Sequence, residues 1–554
     1  MENGGVSGAA AGAWRARLPT AATLLVVVGL ALAAVVVVLV LTPVHPYCTR
    51  DSASYLGAAR NLAAGRGLTI PWGTPAGRPL VHFPPLYPAV LGAVGRLGAD
   101  VLAVSRWLNA LLFGANAALA ALAVYGVAGN RRLSCLAALL MAGAQCMLRI
   151  HTAVWSEALF ISLLLAALIS LHAYTQRPLR RFFLSACAAT ALALLCRWTG
   201  PPLVATGVLV FCVFGPGGVW KRLGRAAAFG SLSVLPTALW LLRNLLAGGT
   251  ATNRTFAFNP ISPKTFLAGL ATVSGWAVPK FHPGWVGERQ SLIPMALLCL
   301  GAACVAVRFV FRRGEGTAGR RLGRLPWAYV WFWFLYCGFL LVSLLFFDRL
   351  TPLDDRILAP AYAAWVVGLL GLWSAAWLPG VSPWPVRGIV LLGWLTIAAL
   401  QVVAAVAFAA GEYETARQQP LRWDPQRIRS VQALAARHPI YSDYPEDFYV
   451  RAETIVRGWP AETHVWSGRA DPDYARLLEE AVDEMRRSDG RLILLGRGPP
   501  GGLGLVHAGA ASGFAVYRLA GEQGGRPDVP PVRPGEDTRA RRRWVPGYLR
   551  RRSH

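Results

Sequence analysis

Long apolar runs recur along the chain from residue 20 to residue 410, each bounded by charged or turn-forming residues. The first is the plainest: residues 20–42 read TAATLLVVVGLALAAVVVVLVLT, without a charge. At about 1.5 Å per residue, such a run crosses the ~30 Å hydrocarbon layer of a bilayer as a helix. Backbone polar groups find no water there, so spanning segments of this kind satisfy themselves helically. The pattern predicts spans near 20–42, 104–128, 133–150, 156–174, 181–198, 200–215, 226–245, 290–310, 326–347, 357–377 and 388–410, about eleven in all. The first run is too long for the core of a cleaved signal peptide and reads as a retained span.

Three stretches depart from this rhythm. Residues 43–103 are far longer than a connector, and Tyr55, Leu56, Ala59, Leu62 and Ala63 recur with helical spacing, so an ordered surface loop is expected. Arg197-Trp-Thr-Gly-Pro-Pro202 interrupts the apolar run 181–215, leaving one broken span or two. After residue 410 the period changes. Residues 430–436 and 474–487 pattern as amphipathic helices, and 440–442, 491–495 and 514–517 as short strands. The expected organisation is a cytoplasmic tail 1–19, a transmembrane domain 20–410, a small extracytoplasmic α/β domain 411–520 and a basic tail 521–554 too rich in Pro, Gly and Arg to fold. The fold class is thus a polytopic α-helical membrane protein carrying a small C-terminal α/β domain.

Charge orients the chain. Fifty-five Lys and Arg against 28 Asp and Glu give a net +27. Arg131 and Arg132, Arg177 with Arg180 and Arg181, Lys221 with Arg222 and Arg225, and the Arg308–Arg324 cluster follow alternate spans. All fall on one side if the N-terminus is cytoplasmic, as the positive-inside bias requires. A nucleic-acid partner would need a soluble basic face instead. This orientation puts 43–103, 151–155, 246–289, 348–356 and everything after 410 outside the cell (inner) membrane. The nine cysteines lie mostly within apolar runs and form no C-x-x-C pair, so neither a disulfide framework nor a zinc knuckle is indicated.

The residues able to do chemistry gather at the outer boundary. Asp51 follows the first span, and Asp51-x-x-x-Tyr55 puts both side chains on one helix face. Glu157 opens the fourth span after Ser156; it either answers the helix dipole or marks function, since a carboxylate at the rim of a spanning helix is costly. Arg243, Arg254 and Arg356 sit at the same level. Each alone is a snorkelling arginine, but together, facing two carboxylates, they suit an anionic lipid phosphate, which a guanidinium fork binds bidentately. Tyr55, His82, Tyr87, His151 and Tyr362 are the candidate substrate-pocket residues. No His-x-x-x-His or carboxylate–histidine pair at ligand spacing occurs, which leaves a divalent metal open and no other cofactor indicated.

The order of these motifs resembles a known family. One span, Asp51…Tyr55, a glycine-rich loop, Pro84-Pro85-Leu-Tyr-Pro88, Ser156-Glu157, Arg243-Asn244 and Arg356…Pro360…Tyr362 together look like the GT-C membrane glycosyltransferases, of the family-39 type that includes protein O-mannosyltransferases and bacterial aminoarabinose transferases. The resemblance covers roughly residues 20–410. It implies a sugar donor carried on a polyprenyl phosphate, with Asp51 matching the acid at the catalytic centre and Glu157 a second acid. It departs from the pattern at Ser52, where many relatives carry another acid, and at His82-Phe83, where the aminoarabinose transferases carry Glu-Lys. His82 stands where some relatives have a residue near a metal. The function expected is an inverting transfer of sugar from polyprenyl phosphate to an acceptor hydroxyl (of a glycan, lipid or protein) at the outer membrane face. The alternative is a multi-span transporter or flippase of a lipid-linked sugar, which calls for ionisable residues near the midplane rather than at the rim.

Overall fold

The computed structural model describes residues 20–520 except 44, 72–76, 255, 280–291, 311–324, 375–383, 419–423, 464–469, 472, 496–502 and 512–513. The expected tails 1–19 and 521–554 lie outside the described residues. The first helix, α1 (Ala21–Leu41), is capped by Thr20, whose hydroxyl accepts from the Thr23 amide. The segment that follows carries helix among its described residues, as its patterning predicts. It contains α2 (Arg50–Ala63), a two-residue ribbon β1 (Thr69–Ile70) and β2 (Arg78–Pro79), and α3 (Leu86–Gly95).

The bundle continues with α4 (Val101–Ala128), α5 (Arg131–Gly143), α6 (Gln145–His151), α7 (Glu157–Gln176), α8 (Arg180–Cys196), α9 (Pro201–Phe214), α10 (Val219–Gly248), α11 (Pro263–Ser274), α12 (Leu292–Val310), α13 (Trp327–Phe346), α14 (Asp355–Ser374) and α15 (Trp384–Gln418). Among the described residues seven helices are long and apolar enough to cross a bilayer, and eight if the bent α5–α6 pair counts as one span. The run 133–150, expected as one span, is bent: the axis turns by 58° at Ala144. The run 181–215 is two helices. α8 ends at Cys196, Arg197 is extended, and Pro201 and Pro202 open α9, where missing amide protons do no harm. At 17 and 14 residues these two are shorter than a full span.

Burial separates helices that composition makes alike. Most of α1 is exposed to its surroundings (11% of its apolar window is buried), whereas 89% of α14 is buried. The chain is an integral membrane protein in which α1 faces lipid and α14 runs through the middle, packed by Tyr329, Tyr336, Trp276 and Trp394. Small residues set the close approaches, as in membrane bundles generally. A Cβ on Gly114 of α4 would lie 2.7 Å from the Ala31 carbonyl of α1, and one on Gly92 of α3 would lie 2.8 Å from the Ala59 carbonyl of α2.

The C-terminal region adds α16 (Pro425–Ala435), β3 (Ile440–Ser442), α17 (Pro445–Ala452), β4 (Arg457–Gly458), α18 (Tyr474–Arg487), β5 (Arg491–Ile493), β6 (Leu505–Ala511) and β7 (Phe514–Leu519). The strands form one mixed sheet in the order β4-β3-β5-β7-β6; β3 is parallel to β4 and β5, and β7 is antiparallel to β5 and β6. Its core is a small apolar cluster around Val431, Phe448, Ile493 and Val516. The helix α17, which the hydrophobic pattern did not announce, packs against α2.

Candidate active site

Asp51 stands in the first turn of α2 because the chain is turned there by a capping box: the Thr49 amide donates to Ser52 Oγ at 2.9 Å. Ser52 Oγ in turn donates to the Val154 carbonyl, and Tyr47 and Ala153 form an isolated parallel bridge. These bonds tie the start of α2 to the segment that leads into α7. Glu157, the first residue of α7, is fully buried. Arg356, in the first turn of α14, joins the two acids. Its Nη2 donates to Asp51 Oδ2 at 2.5 Å and its Nε donates to Glu157 Oε1. Asp354, two residues earlier, accepts from the Arg356 amide and so fixes the start of the helix. The guanidinium lies 4.2 Å above the Trp155 ring, and the indole N–H of Trp155 donates to Thr49 Oγ1.

A second guanidinium completes the cluster. Arg197 Nη1 lies 2.6 Å from Glu157 Oε2 and also donates to Ser156 Oγ at 3.2 Å. Tyr55 Oη and Ser156 Oγ share a hydrogen bond of 3.1 Å. Burial alone pushes the Asp51 carboxyl up, but Arg356, with smaller contributions from His82 and Arg197, outweighs it and holds the group below the usual carboxylate range. Burial is also what pushes the Tyr55 phenol well above its ordinary value, with Asp51 adding to it, so Tyr55 stays protonated. Asp51 is thus an ionised acceptor beside a neutral hydroxyl.

Beyond Arg197 lies a hollow of about 90 Å³ lined by Arg197, Trp198, Thr199, Arg254, Ser343 and Asp348, among others. Arg254 Nε is 3.2 Å from Asp348 Oδ2. Burial pushes the Arg254 guanidinium down and the Asp348 carboxyl up despite their pairing.

The other expected site residues divide. Tyr55 and Tyr87 pack edge to face with ring centroids 5.2 Å apart, and Tyr87 donates to Asn109. The Trp198 indole donates to the His82 carbonyl, which brings the His82 loop to the Arg197 turn. Arg243 reaches back to the Leu80 carbonyl and thereby holds the β2 end of the loop. His151 and Tyr362 belong to the packed core rather than to the cluster. His151 is fully buried, stacked on Phe113 and bonded to Asn116 and the Met147 carbonyl. Tyr362 Oη donates to the Leu140 carbonyl between α5 and α14. Arg356, expected among phosphate ligands, has its Nε and Nη2 engaged by carboxylates. Arg197 was legible only as part of a turn; its signal is a charge isolated between two apolar runs and followed by Pro-Pro.

The metal left open by the sequence finds no ready ligand set among the described residues. Among the described residues no three His, Cys, Asp or Glu side chains converge, and the two central carboxylates face guanidinium groups.

A helical membrane bundle with an ordered first loop, site residues at helix ends and a C-terminal sheet region defines a GT-C-like fold. ArnT from Cupriavidus metallidurans, in the apo state, is similar with a TM-score of 0.51 and 16% identity, over 92% of this chain and all of that one. The same protein bound to undecaprenyl phosphate gives a TM-score of 0.48 at 15% identity, again over 92% of this chain and all of that one. The Archaeoglobus fulgidus oligosaccharyltransferase in the apo form gives 0.47 at 12% identity, over 84% of this chain and 69% of that one. No family model matches the sequence, and no curated protein matches it. At these identities the likeness is one of fold.

Proposed function

We propose that the protein is an inverting glycosyltransferase that moves a sugar from a polyprenyl-phosphate donor to an acceptor hydroxyl on the extracytoplasmic face of the cell membrane. The observation that carries the reading is the meeting of Asp51 and Glu157, 106 positions apart, on the single guanidinium of Arg356. Asp51 is ionised and has one guanidinium partner, which suits it to receive a proton; Glu157 is held between two and suits the role of orienting them.

In the reaction, the acceptor O–H gives its proton to Asp51 as its oxygen bonds to the anomeric carbon. The bond from that carbon to the phosphate oxygen breaks, and the phosphate leaves with the electron pair. Its growing charge meets Arg254 and Arg197 beside the hollow. Of the three arginines expected there, Arg254 is the best placed for phosphate: its Nε, 3.2 Å from Asp348, finds no hydrogen-bond partner among the described residues, whereas Arg243 holds the Leu80 carbonyl and Arg356 is fixed by two acids. The prenyl chain lies along apolar helix surface. The outward assignment is supported by Arg131 and Arg132, Arg180 and Arg181, and Lys221 with Arg222 and Arg225, which stand at helix ends remote from these residues.

The test is transfer of label by membranes supplied with a panel of radiolabelled prenyl-phosphate sugars, comparing the intact chain with Asp51→Asn. Transfer by the intact chain that Asp51→Asn reduces by about 10²-fold or more supports the reading. Near-normal transfer by Asp51→Asn removes Asp51 from the role of base.

A further inference from the structure

α2 is held from outside by the C-terminal region, at both ends of the helix that carries Asp51. At its start, Arg50 Nε is paired with Glu446 Oε1 in the first turn of α17, and the Arg50 guanidinium lies 4.4 Å over the Tyr444 ring. Near its end, the Arg60 guanidinium lies 5.4 Å over the Tyr449 ring on the same short helix. Arg50 and Asp51 are neighbours in the first turn, so one faces α17 while the other faces Arg356. Rotation of α2 about its axis must break one bond to make room in the other.

We propose that Arg50 and Glu446 are positioning residues: the C-terminal region, through α17, sets the rotation of α2 and with it the aim of the Asp51 carboxylate. This rests on the glycosyltransferase reading above. Burial pushes the Glu446 carboxyl up and Arg50 offsets part of it. Other charges at this seam include Asp443, Asp447, Arg451, Glu453, Asp100 and Arg60. Arg451 pairs with Asp447 at 3.8 Å. Cys48, just before the helix, is half-buried under the same seam, and the other eight cysteines lie within helices α5 to α13. Burial raises its thiol to about 12, so it reacts slowly while the seam is closed.

The test uses full-length chain in membranes, with Glu446→Gln, Arg50→Gln, the double variant and Arg50→Lys, read by transfer kinetics and by labelling of Cys48 with a membrane-impermeant maleimide. Misaiming a catalytic group by a fraction of an ångström lowers turnover without weakening donor binding, so Glu446→Gln is expected to lower kcat about tenfold with KM unchanged. Its Cys48 labelling stays at the wild-type rate. Arg50→Gln leaves a buried acid without its partner, so it lowers kcat and also speeds labelling severalfold. The double variant returns labelling to the wild-type rate but keeps the low kcat, with no multiplication of the two losses. Arg50→Lys retains most of the turnover. Wild-type kcat in Glu446→Gln overturns the proposal, as does a kcat that simply follows labelling across the set. If the wild-type chain transfers no sugar from any donor, the glycosyltransferase reading fails. The clamp itself then stands or falls on whether labelling rises in Arg50→Gln and returns in the double variant.

Discussion

At the residue scale, the centre of the site is a chain of alternating charges: Asp51, Arg356, Glu157, Arg197. Glu157 is its least replaceable member, since it is fully buried and touches both arginines. Glu157→Gln takes the carboxylate partner from Arg197 and leaves Arg356 with Asp51 alone. Loss of one partner of a buried pair costs about 3–5 kcal/mol, so a lower midpoint in thermal unfolding in detergent is expected, together with loss of transfer. Asp51 carries a pH signature. Its carboxyl titrates lower in the folded protein than in the unfolded chain, so its stabilising effect is complete above the ordinary value of 3.8 and is lost as pH falls through the folded value. The difference in unfolding midpoint between wild type and Asp51→Asn is expected to shrink below about pH 4 and to be constant above it. Asp51, Glu157 and Arg356 were legible as charges at the edges of apolar runs. The pairing of Glu157 with Arg197 was not, because it joins positions 40 apart through the packing of α7 on α8, which no local pattern encodes.

At the element scale, α2 is aimed by its neighbours on two sides. The inner side depends on Gly92, whose missing side chain lets α3 reach the Ala59 carbonyl. Gly92→Val drives methyl groups into that backbone and pushes α2 off its seat. Overpacking of this kind costs about 1–3 kcal/mol, and a larger fall in transfer than in thermal stability is expected when both are measured on the same membranes. Helices as such were readable wherever an apolar run was long. The bend at Ala144 was not, because the run 133–150 contains neither proline nor charge between its ends until Arg149, and the turn is imposed by packing: Gly143 abuts Val402 of α15, where a Cβ would come within 2.6 Å of a methyl group. The helix α17 escaped because eight residues with two acids and an arginine resemble any solvated loop until α2 covers them.

At the scale of the whole molecule, the sheet region and the bundle meet on α2, so removal of residues 424–554 uncovers Arg50 and Arg60 together. A chain truncated after α15 is expected to insert in membranes, to retain donor binding and to lose most of its turnover, measured by photolabelling with a prenyl-phosphate analogue beside transfer assays. Composition foretold a membrane bundle and a small α/β region, but not which helix lies inside: α1 and α14 are both apolar, and only the assembled neighbours make one a lipid-facing rod and the other an axle. The arginines and acids at the site end have a further consequence. Arg197, Arg254 and Arg356 stand against Asp51, Glu157 and Asp348, three charges of each sign. This set of ion pairs is therefore neutral as a whole and casts little field at a distance that would draw an anionic lipid across the membrane surface. Capture becomes a matter of two-dimensional encounter followed by exchange of ion-pair partners, and the KM for donor is expected to stay nearly flat when ionic strength is raised through the range in which long-range attraction is screened away.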